Sequence, residues 1–151
     1  MKIEDFFSKI RQGDLNAVKK ELINHPDLIS KKDERGSSAL ILSCYLDKVD
    51  IAKFLIEFGS NLNELDLMGN SALIGVSFKG NFEIVKLLVD NKARLDIQNN
   101  TGATALIYSA MYKNKEIYNF LISSGANKEL KDKKRKTALD YAQENGLLND
   151  S

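Results

Sequence analysis

The chain has 151 residues, 43% of them hydrophobic and 28% charged, enough to bury the core of one domain. One cysteine and one histidine exclude an internal disulfide and a four-ligand structural zinc site. A formal net charge of +1 excludes a strongly basic nucleic-acid binder.

In the N-terminal stretch Glu4, Asp5 and Lys9 interrupt any apolar core of a secretory signal. The apolar runs along the chain are far shorter than the roughly 20 residues that span a bilayer. A cytoplasmic protein without a membrane segment is the expectation.

From residue 33 onward the sequence repeats. Asp33-Glu-Arg-Gly36-Ser-Ser-Ala-Leu40 returns as Asp66-Leu-Met-Gly69-Asn-Ser-Ala-Leu73. It returns again as Asn99-Asn-Thr-Gly102-Ala-Thr-Ala-Leu106, then as Asp132-Lys-Lys-Arg135-Lys-Thr-Ala-Leu139. Each step is 33 residues, and Ile51, Ile84 and Ile117 keep it, as do Leu55, Leu88 and Leu121. A fixed period of this size marks a solenoid.

Within each unit the elements follow in order. Gly36, Gly69 and Gly102 mark a tight turn. Ser38, Ser71, Thr104 and Thr137 place a hydroxyl where it caps a first helix. Leu40 and Cys44 share one face of the first such helix. Ile51, Phe54, Leu55 and Phe58 then follow the spacing of a second helix, ended by Gly59, and Gly125 ends its counterpart. Two short helices cannot bury their apolar faces alone, and stacking of neighbours buries them.

These residues resemble the ankyrin repeat over nearly the whole chain. The resemblance implies an all-α solenoid of helix–turn–helix units with projecting β-turn fingers. Residues 33–65, 66–98 and 99–131 would be full repeats in a single domain of residues 1–151. Residues 1–32 would be an N-terminal cap, with Gln12 to Val18 opening its second helix and His25-Pro26-Asp27-Leu28 forming a longer finger. Residues 132–151 would be a C-terminal cap, with Thr137 and Asp140 as a capping box. Two such caps imply a complete small protein.

The sequence departs from the family at several points. Its Thr-Pro-Leu-His becomes Ser-Ala-Leu-Ile, Thr-Ala-Leu-Ile or Thr-Ala-Leu-Asp. Lys92 and Arg135 stand where the family has glycine, and Asp47 and Lys113 stand where Gly80 eases the turn between helices. Non-glycine residues in left-handed geometry cost roughly 1 kcal/mol each, so lower stability than an idealised relative is expected.

No catalytic constellation is visible. His25 has no adjacent nucleophile, and Cys44 reads as a buried, inert thiol. The glycine spacing matches no phosphate-binding loop. A non-enzyme without cofactor or metal is therefore expected, acting as a protein-binding module.

In ankyrin-like stacks the partner surface is the concave side, formed by finger tips and the ends of the first helices. Carried onto this chain, it comprises Arg35, Tyr45, Leu46, Leu67, Met68, Phe78, Lys79, Met111 and Tyr112. Large apolar groups on an exposed stripe point to a protein interface, and Tyr and Met suit one. The same side chains could instead fold sideways and complete the core. A monomer in isolation is expected, with an inhibitor or immunity-type role one version and an adaptor another. The alternative is a binder of nucleic acid or an acidic ligand through Lys131 to Lys136. Residues 67–151 carry 12 basic and 9 acidic side chains, against 10 and 12 in residues 1–66.

Overall fold

The computed structural model describes residues 3–148; residues 1–2 and 149–151, the outer edges of the two expected caps, lie outside it. Its first pair of helices is α1 (Ile3–Gln12) and α2 (Leu15–Asn24), followed by a 3-10 turn over Pro26–Ser30. Three more pairs follow: α3 (Ala39–Tyr45) with α4 (Val49–Phe58), α5 (Ala72–Lys79) with α6 (Phe82–Asp90), and α7 (Ala105–Met111) with α8 (Lys115–Ser123). The last described helix is α9 (Ala138–Glu144). The described residues form no strand, only the isolated bridges Lys32–Ser38 and Lys131–Thr137.

The first helices stack in sequence order, α1 on α3, α3 on α5, α5 on α7 and α7 on α9. The second helices pack beside them, and one continuous core runs from Phe6 to Leu147. Local chemistry sets each start. Ser38, Ser71 and Thr104 each accept the backbone N–H three residues on, at 3.1–3.2 Å. Thr137 does the same at 3.1 Å, and Asp140 returns the bond to the Thr137 N–H, completing the capping box.

Left-handed backbone is found where the sequence predicts it. Asp47, Lys92, Lys113 and Arg135 have φ of 60°, 71°, 62° and 64°. Gly102, at φ 80°, shows why the finger turns before it hold glycine: a Cβ there would meet the Asp132 Cα at 2.9 Å. Arg135 occupies the same turn with no further finger packed on it among the described residues. The expected N-terminal finger differs in form. Pro26 fixes the backbone at the start of a 3-10 turn, and Leu28 is buried beneath it.

Two core positions stand out. Cys44 is fully buried, and desolvation pushes its thiol up to about 12, as an inert side chain requires. Ser77 occupies the equivalent place one repeat on, where the next repeat has Ala110. Its hydroxyl is buried with no hydrogen-bond partner among the described residues. Ser77→Ala is therefore expected to stabilise the fold by about 1 kcal/mol, read as a raised midpoint in denaturant melts.

The last finger is latched to α9. Asp132 is buried and accepts the Tyr141 hydroxyl and the backbone N–H groups of Lys134 and Lys136. Burial opposes its charge most strongly, but the Tyr141 hydroxyl, the two N–H groups and the nearby Lys134 ammonium together outweigh burial and hold the carboxyl below its usual value. A folded pKa below the unfolded one stabilises above the unfolded value, and that stability is lost as pH falls through the folded value. Acid melts should thus show a loss setting in below about pH 4. Asp132→Asn should reduce that loss while keeping the turn, as Asn99 does in the preceding finger.

Candidate functional site

The finger side of the stack is built from the Asp or Asn that opens each finger. Asp33, Asp66, Asn99 and Asp132 each use Oδ1 to accept two N–H groups of their own turn, at 2.8–3.1 Å. This is the short side chain's ability to mimic a backbone acceptor. The fingers are then stitched together. Leu67 N–H donates to the Arg35 carbonyl at 3.1 Å, Asn100 N–H to Met68 at 3.0 Å, and Lys133 N–H to Thr101 at 3.0 Å. The tips therefore form one rigid rim over the first helices.

Between that rim and α3 and α5 lies a groove of about 860 Å³. Of the nine residues carried over from the sequence, Arg35, Tyr45, Leu46, Leu67, Met68 and Phe78 line it. Leu67 and Met68 are 71% and 60% exposed, although large apolar side chains at a solvated tip gain nothing from water. Arg35 is exposed and Leu46, the C-cap residue of α3, is half-buried.

The other three lie outside the groove lining. The Lys79 ammonium lies 4.7 Å over the Tyr45 ring, a cation–π contact between neighbouring repeats. Tyr112 is 52% exposed. Its ring meets Phe78 edge-on at 4.8 Å, and both approach Tyr108, at 6.0 and 5.8 Å. Met111 is half-buried against the core, and its carbonyl accepts from Asn145 at 3.3 Å. The helix-end side chains thus fold partly onto one another while keeping a face to solvent.

Tyr108 and Gly75 also line the groove, and sequence reasoning missed both. They share the column Leu42, Gly75, Tyr108, Tyr141, nine residues after each opening Asp or Asn. The signal was available one helical turn before each helix end.

A family model described as ankyrin repeats (3 copies) matches residues 7–99 and 74–150. The chain belongs to the ankyrin-repeat family. Ankyrin repeats are generally protein–protein interaction modules and are typically non-enzymatic. A 50-residue stretch of this ankyrin chain is 46% identical to part of an acyl-CoA-binding domain-containing protein 6 homolog of Dictyostelium discoideum. That stretch is 33% of this chain and 17% of that protein, whose named acyl-CoA binding is its own. Among the described residues of the ankyrin stack, no helix is long and apolar enough to cross a membrane. Nor do three metal-ligating side chains gather at any point among them.

Proposed function

We propose that this ankyrin protein is a non-enzymatic binding module that recognises a protein partner through the groove and its rim. Arg35, Tyr45, Leu46, Leu67, Met68 and Phe78 would contact the partner first, with Lys79, Met111 and Tyr112 extending the surface toward the C-terminal repeats. The observation that carries this reading is the exposure of Leu67, Met68, Tyr45, Phe78 and Tyr112 on one side of the stack. Contiguous apolar surface of this kind marks interaction sites in soluble proteins. The rim is preformed by backbone hydrogen bonds, so association orders little chain.

The basic last finger supports the alternative reading less well. Lys136 is bound to Glu144 at 2.8 Å and lies over the Tyr141 ring, so it already has partners within the fold. The test of the groove is whether Tyr112→Ala and Phe78→Ala weaken binding of a partner recovered by affinity capture, read by calorimetry on the purified pair.

A further inference from the structure

The four units treat the outer atom of their opening side chain differently. In the last, the second carboxylate oxygen of Asp132 accepts the hydroxyl of Tyr141. In the one before, Asn99 uses its amide to donate to the Tyr108 hydroxyl at 2.9 Å. In the first, the second oxygen of Asp33 faces the Arg11 guanidinium at 3.7 Å. Asp66 is the exception. Its Oδ1 holds the finger turn as the others do, but Oδ2 has no hydrogen bond or ion pair among the described residues.

The residue that would serve Asp66 is Gly75, nine positions on, where the later repeats have Tyr108 and Tyr141. Nothing in the backbone demands glycine there. It lies within α5, outside the positive-φ set, and a Cβ would meet only the Tyr45 ring at 3.7 Å, an ordinary contact. Glycine inside a helix weakens it. What Gly75 does provide is room. Gly75 is half-exposed and lines the groove together with Leu42, Tyr108, Asp66, Tyr45 and Phe78.

We propose that this well takes a tyrosine side chain of the protein partner, whose hydroxyl donates to Asp66 as Tyr141 donates to Asp132. The ring completes the column between Leu42 and Tyr108 and meets the edges of Tyr45 and Phe78, an arrangement aromatic rings favour. The carboxylate selects a donor-bearing ring, because burying it against phenylalanine leaves it without a partner. This rests on the groove being the partner surface and adds what the groove selects.

Capped amino acids probe the well without a known partner. N-acetyl-tyrosinamide should shift the backbone amide signals of Met68, Asn70 and Gly75 saturably in nuclear magnetic resonance titrations. N-acetyl-phenylalaninamide should bind about tenfold more weakly, the loss of one charge-assisted hydrogen bond. N-acetyl-argininamide should bind no better than the phenylalanine compound. Gly75→Tyr should abolish the tyrosinamide shifts and melt about 2–4 °C above Gly75→Ala, because the chain then fills its own well. Equal binding of the phenylalanine compound, tighter binding of the arginine compound, absence of saturable shifts, or a Gly75→Tyr melt below Gly75→Ala would each overturn the proposal. If it fails while Phe78→Ala still weakens partner binding, the groove reading stands and only the tyrosine assignment falls.

Discussion

Leu88→Ala is expected to destabilise the protein by about 2–5 kcal/mol. Leu88 is fully buried in α6, on the face that keeps the 33-residue step with Leu55 and Leu121. Truncation removes apolar contacts and leaves a cavity that neighbouring repeats cannot close without shifting the stack. Each unit contacts only its neighbours, so a defect in a central repeat weakens its interfaces on both sides. Glu57→Ala, at an exposed position near the end of α4, is expected to change stability by no more than about 0.5 kcal/mol. Denaturant melts of the two variants check the assignment of helix faces, and equal losses would contradict it.

The second large effect concerns binding. Removing one central aromatic anchor of a protein interface often costs about 2 kcal/mol or more, roughly thirtyfold in affinity. Phe78 and Tyr112 are 40% and 52% exposed and meet each other edge-on, so each holds the other in place on the surface. Tyr112→Ala should show that loss together with a stability cost of about 0.5–1.5 kcal/mol from the lost ring contacts. Phe78→Ala should cost somewhat more stability, because both rings meet Tyr108 but Phe78 is the less exposed of the two.

Much of the fold was legible because its determinants are local. The hydroxyl at each first-helix start and the non-glycine residues standing at glycine positions are readable by aligning one unit on the next. Ser38, Ser71, Thr104 and Thr137 do cap, and Asp47, Lys92, Lys113 and Arg135 do adopt positive φ. The groove was legible only in outline. Helix-end positions are set by the period, but where a ring turns depends on the ring in the next repeat. Phe78 turns toward Tyr108 and Tyr112, contacts that link residues 30 and 34 apart. The Asp and Asn residues opening the fingers were visible as repeats, yet their double acceptance of turn N–H groups was not read from them. The meaning of Gly75 emerges only when its column is compared with the hydrogen bonds of Tyr108 and Tyr141, which no helical periodicity displays.

The central claim is that the groove side binds the partner and is not merely a stretch of core left partly open. The direct measurement is calorimetric titration of the purified partner into wild type, Tyr112→Ala and Phe78→Ala, with thermal melts of the same samples. A roughly thirtyfold loss of affinity in variants that remain folded at the titration temperature is the predicted result. Unchanged affinity in folded variants that melt well below wild type would show that these rings serve the stack alone and would contradict the account.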